Sequence, residues 1–180
     1  MEGENAAIYT RGEIIIMDNY YVYLPAEGQL DPGACWAACL RWWLFATKTI
    51  SKPQEDILSS YDSSEDDGTV SEKTIKQIID DPQWGMTRQV LPASKFKSSV
   101  LKKHLEYGPV YVGYTETGSN KKHVNVIYDM DSKNGSTRVA CMEPQAREKE
   151  DWTYEGEHQI KSLRDFNRLG TVYIGSLKPA

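Results

Sequence analysis

The run Cys35 to Thr47 (CWAACLRWWLFAT) is apolar on nearly every side, with Arg41 its one charge. A helix of that character cannot lie on a surface; it has to be enclosed by other elements. Asp31-Pro32-Gly33 supplies turn and N-terminal signals just before it. The longest apolar stretch, Ala34 to Ala46, falls far short of the ~20 residues that a bilayer span needs. The chain therefore has to build a core around this helix from its own sequence, and 180 residues suffice for one domain.

The remaining pattern divides in two. Ser51 to Ser60, with Pro53 near the first turn, reads as a short helix. Ser71 to Asp80 carries Ile75, Ile78 and Ile79 at helical spacing, and Ser98 to Tyr107 carries Val100, Leu101 and Leu105. Asp62 to Gly68 is an acidic, turn-rich loop between the helices. Gly108-Pro109 then stops the helical pattern. Strand signals follow at Val110 to Tyr114, His123 to Tyr128, Thr137 to Met142 and Val172 to Leu177, with Asn134-Gly135 as a tight hairpin. Two more short strands are expected at Glu13 to Met17 and Tyr20 to Leu24. Between the last strands, a short strand at Trp152 to Tyr154 and a helix over about Ile160 to Arg168 are expected. The fold class is α+β: one domain over 1–180, helical over about 29–108, with an antiparallel sheet over about 109–180 joined by the N-terminal strands.

Composition narrows the function. A net charge of −5 disfavours a nucleic-acid binder, which carries a basic face. No basic and apolar leader opens the sequence, so synthesis in the cytoplasm is expected. Three cysteines, Cys35, Cys39 and Cys141, make no disulfide framework and no metal-site spacing, so neither metal nor cofactor is expected.

Cys35 falls at the first turn of the buried helix. There the helix dipole favours a thiolate, and free backbone N–H groups can receive a developing oxyanion. Cys39, one turn further in, reads as core. A thiolate nucleophile needs a histidine base held in one tautomer. His104, on a helix, reads as a surface residue, and His158, in Glu155-Gly156-Glu157-His158, as a solvated one. His123 opens a strand straight after a turn, where a second lobe can offer it to the thiol. Glu143 follows the strand that returns through the Asn134-Gly135 hairpin, so it falls near His123 and is the preferred acceptor for the ring. Asn125, two residues along the same strand face, is the alternative; Asp129 is too distant. The plain alternative for all these residues is ordinary core packing.

Gln29, six residues before Cys35-Trp36, completes a constellation that resembles the papain-like cysteine peptidases. Gly108 to Val112, His123 to Tyr128 and the acid-proline pair Glu143-Pro144 resemble the compact bacterial branches: bacteriocin-leader peptidases, plant-pathogen effector peptidases and papain-fold toxins. The resemblance spans about Gln29 to Pro144. It implies a helical lobe packed on an antiparallel half-barrel, with a substrate cleft between Cys35 and His123. It gives Gln29 the role of an oxyanion donor. It further implies a cysteine endopeptidase acting on protein substrates. The setting it suggests is an effector or toxin that leaves by a non-classical route and is neutralised by a cognate inhibitor or immunity protein. Glu143 departs from the family's usual Asp or Asn. A deamidase or acyltransferase of the same fold, and a non-catalytic peptide-binding module, are the rival readings.

Overall fold

The computed structural model describes residues 7–10, 13–16, 19–61 and 70–179. Strands β1 (Ala7–Thr10) and β2 (Glu13–Ile16) form a hairpin. Helices α1 (Cys35–Lys48), α2 (Gln54–Ser60) and α3 (Glu72–Asp80) follow. Then come β3 (Thr87–Pro92), α4 (Ser98–Leu105), β4 (Val110–Thr115), β5 (Lys122–Lys133), β6 (Ser136–Glu148), β7 (Tyr154–Ser162) and β8 (Thr171–Ser176). The last six strands make one antiparallel sheet in the order β3-β8-β4-β5-β6-β7, open at β3 and β7. The acidic segment Asp62 to Gly68 lies outside the described residues, as does Met17.

α1 is the pivot of the molecule. Its residues from Cys35 to Leu40, with Trp42, Trp43 and Leu44, are buried. They pack on Val124, Val126, Tyr128, Ala140 and Met142, one face of β5 and β6. The opposite face of the same strands carries Ile127, Val139 and Cys141, covered by Phe96, Leu101, Leu163 and Phe166. Polar contacts fix the helix on its bed. Trp43 Nε1 donates to the Pro109 carbonyl at 2.8 Å, and Tyr111 Oη to the Trp36 carbonyl at 3.2 Å. Truncating a fully buried indole such as Trp43 to Ala would cost about 3–5 kcal/mol. The helix ends at Thr49, in the left-handed region at φ 57°, whose N–H returns to the Phe45 carbonyl.

Three expectations need correction. Tyr20 to Leu24 is no strand but a turn of 3-10 helix, Tyr20–Tyr23, capped by the Asn19 side chain accepting from Tyr21 N at 3.0 Å. Its tyrosines and valine favour strands, but Tyr20 and Tyr23 are exposed, and no strand among the described residues pairs with the segment. The expected helix at Ile160 to Arg168 is instead the end of β7, with Lys161 opposite Val139, followed by a single 3-10 turn over Leu163–Asp165. A capping box between Ser162 and Asp165 starts that turn. β7 begins at Tyr154, since Trp152 takes φ 67° in the preceding turn. The edge strand β3 gave no sequence signal, because its residues are mostly exposed and polar.

A bulge places the acid. Lys133 pairs with Ser136 across the hairpin tip, but beyond Asp129–Ala140 the register shifts, and Ile127 pairs with Cys141 and Val126 with Met142. Carried on without the shift, the hairpin's register would set Glu143 opposite Val126 and turn His123 and Asn125 toward α1, away from the face of Glu143. The extra residue, Tyr128, brings Asn125 opposite Glu143 and puts His123 on the same face.

Candidate active site

Cys35 opens α1 behind Ala34, and no side chain caps the helix. The first-turn N–H groups are thus left to whatever lies before them. A cleft of about 290 Å³ lies there, walled by Pro32, Gly33, Cys35 and Val70 on one side and by Lys121, Lys122, His123 and Gln145 on the other. Cys35 and His123 both line it, close enough for the thiol to act on the imidazole.

His123 Nε2 lies 2.8 Å from Glu143 Oε1, which leaves Nδ1 as the ring nitrogen for the sulfur. The Glu143 carboxylate is saturated with donors. Oε1 also accepts the Gln145 N–H at 2.8 Å; Oε2 accepts Asn125 Nδ2 at 3.1 Å and the Lys161 ammonium. Asn125 Oδ1 in turn accepts from Lys161 Nζ and from Tyr114 Oη, each at 3.0 Å, and these two donors fix which way the amide points. All of these side chains except Gln145 lie on the sheet face away from α1, on β4, β5, β6 and β7.

Burial alone would discharge such groups. It works against the imidazolium, yet the Glu143 carboxylate and Cys35 outweigh it, and His123 is pushed up to about 10. Burial likewise opposes the Glu143 charge, but His123 and Lys161 hold that carboxyl well below the usual range. Lys161 is raised: burial opposes its charge, and Cys141 and Glu143 more than restore it. The other thiols are pushed the opposite way from a nucleophile. Burial drives Cys39 far up and Cys141 up to about 12.

Gln29 is fully buried. Its Nε2 donates to the Asp31 carbonyl at 2.8 Å, its Oε1 has no partner among the described residues, and it lies outside the wall that holds Cys35. An amide nitrogen carries two hydrogens, so one N–H remains. The backbone around it is tied to the sheet half. Gln29 N donates to the Pro144 carbonyl at 3.1 Å, and Tyr154 N to the Gln29 carbonyl at 2.9 Å. Gly28 and Gly156 permit this approach: a Cβ on Gly28 would lie 1.9 Å from the Tyr154 carbonyl oxygen, and one on Gly156 would lie 2.3 Å from that of Glu27.

A family model described as papain-like cysteine protease AvrRpt2 matches residues 19–160. The chain belongs to this family of papain-like cysteine proteases. No curated protein matches it. The family assignment makes the chain a cysteine protease with protein substrates and accords with the α+β architecture. No helix among the described residues is long and apolar enough to cross a membrane.

Within the family frame, the matched span contains Gln29, Cys35, His123, Asn125 and Glu143 and stops one residue before Lys161. His104 is half-buried rather than on the surface; its ring bonds Ser176 Oγ at 2.8 Å and Gln89 Oε1 at 2.7 Å. His158 is not solvated either. It sits in β7 with Nε2 2.6 Å from the Leu24 carbonyl and Nδ1 3.0 Å from Tyr128 Oη. Pro144 does not end the strand: β6 resumes pairing at Arg147, opposite Glu155. The intervening shift turns the Gln145 N–H onto the Glu143 carboxylate. Lys161, Tyr114 and Gln145 escaped sequence reasoning. Only an alternation read through Gln159 to Lys161 as a strand would have pointed to Lys161.

Proposed function

We propose that the chain is an endopeptidase in which Cys35 is the nucleophile, His123 the base and Glu143 the residue that orients His123. The observation that carries this is the His123 ring itself, which shares the cleft wall with Cys35 and is hydrogen-bonded through Nε2 to a carboxylate that takes four donors. The thiol proton passes to His123 and the sulfur attacks the carbonyl carbon of the scissile bond. The displaced π electrons go to the carbonyl oxygen, which the Cys35 N–H and the spare N–H of Gln29 receive. Collapse breaks the C–N bond while His123 protonates the leaving amine. Water, giving its proton to His123, attacks the thioester; the C–S bond breaks and the acid product leaves.

New protein N-termini in cells expressing the wild type, absent in cells expressing Cys35→Ala, are the expected result. Proteolysis that survives the substitution ends the nucleophile assignment. An uncut substrate gaining about one dalton would instead mark the same acyl-enzyme chemistry turned to deamidation.

The setting we propose is that of an effector or toxin acting inside a neighbouring cell and checked by a cognate immunity protein. Support comes from the likeness of Gln29, Cys35-Trp36, His123 and Glu143-Pro144 to compact papain-fold effectors. Expression in a bacterial cytosol without a protector tests it: toxicity that depends on Cys35 is expected, and harmless accumulation of an active chain counts against the antibacterial version.

A further inference from the structure

We infer that Lys161 is a positioning residue of the active site, a buried cation on β7 that locks the Glu143 carboxylate and thereby sets the proton affinity of the His123–Cys35 pair. The inference rests on the triad reading above and adds a fourth charge to it.

Glutamate has one more rotatable bond than the aspartate usual at this place, so its carboxylate needs more restraint to present one oxygen to a ring nitrogen. Lys161 supplies that restraint from the far side. Its ammonium donates to Glu143 Oε2 and, at 3.0 Å, to Asn125 Oδ1, while Asn125 Nδ2 returns to Oε2 at 3.1 Å. The three groups close a ring of hydrogen bonds that no rotation of Glu143 preserves. The side chain of Lys161 is 18% exposed and passes near the Phe166 ring, its ammonium 6.0 Å from the centroid. A lysine so enclosed keeps its charge only beside a permanent anion.

The groups facing it are Glu143 and Cys141 from β6, Asn125 from β5 and, more remotely, Glu116 from the turn before β5. Those facing His123 are Cys35, Glu143, Asn125 and the Tyr114 ring. With sulfur ionised, the buried set of thiolate, imidazolium, carboxylate and ammonium sums to zero. Removing the ammonium leaves one excess negative charge. Every proton in the cluster is then held more tightly, and ionisation of the thiol requires a higher pH.

Alkylation by iodoacetamide tests this without a substrate. The rate is read by mass spectrometry on the Cys35 peptide as a function of pH, for wild type, Lys161→Met, Lys161→Gln and Lys161→Arg. Both neutral variants should fold, and their half-maximal rate should move upward by on the order of 1 pH unit. Lys161→Arg, which keeps the charge, should bring the midpoint back toward wild type. Neutral variants that fold and keep the wild-type profile overturn the inference, with the triad reading intact. Neutral variants that both fail to fold also overturn it, since Lys161 is then a structural residue. Proteolysis that survives Cys35→Ala removes the triad reading, and this inference with it.

Discussion

One carboxylate, that of Glu143, bridges His123 on β5 and Lys161 on β7, giving one oxygen to each. The histidine that faces Cys35 across the cleft is thereby linked to a cation on the second strand beyond its own. The site is a section through three adjacent strands, and its behaviour depends on charges that neutralise one another away from water.

Glu143 therefore answers for both structure and chemistry. Glu143→Ala should lose about 3–5 kcal/mol of stability in chemical denaturation, because Lys161 is left buried without its anion. Glu143→Gln keeps the shape and removes the charge. It should fold, and lower kcat about 100-fold through the loss of a properly poised base. Unchanged kcat in Glu143→Gln would assign the orienting role to Asn125.

Stability should depend on pH through His123. The folded chain holds its proton up to about 10, against about 6.5 when unfolded. Between those values the folded state binds a proton that the unfolded state has lost. The contribution is thus fully present below about pH 6.5 and is lost as pH rises toward 10. Tm should fall across that window in the wild type and fall less steeply in His123→Asn. Equal slopes would mean that the fold does not retain the imidazolium.

Gln29→Ala should lower kcat by roughly 100-fold, the usual scale for one oxyanion donor, with little change in KM. A rise in KM at unchanged kcat would make Gln29 a substrate-binding residue instead.

The close passage at Gly28 and Gly156 gives a test of how Gln29 is held. Gly28→Ala must push the loop away from the Tyr154 carbonyl, at a cost of about 1–3 kcal/mol. Because the same loop carries Gln29, kcat should drop in a preparation that is still folded. Full activity in a destabilised Gly28→Ala protein would separate the loop from the chemistry.

Much of this architecture was legible in sequence because its causes are local. The all-round apolarity of Cys35 to Thr47 demands burial, Ile75, Ile78 and Ile79 mark one face of α3, and Asn134-Gly135 fixes a hairpin that brings Glu143 back toward His123. The illegible parts depend on partners distant in sequence. Tyr20 to Leu24 has strand-like residues but no strand to join among the described residues, and β7 is a strand because β6 lies beside it. Lys161 looks like any surface lysine until Val139 is known to be its neighbour across the ladder. His104 and His158 looked solvated because Ser176 and Tyr128, which hold them, lie 72 and 30 positions away.

The unpaired Tyr128 divides the β5–β6 hairpin into two segments of different register. Were Tyr128 drawn into the ladder, every β5 residue before it would change sides, and His123 and Asn125 would turn beneath α1 into apolar core while Glu143 stayed on the opposite face. One residue more in a strand thus decides on which side of the sheet a base can meet its acid.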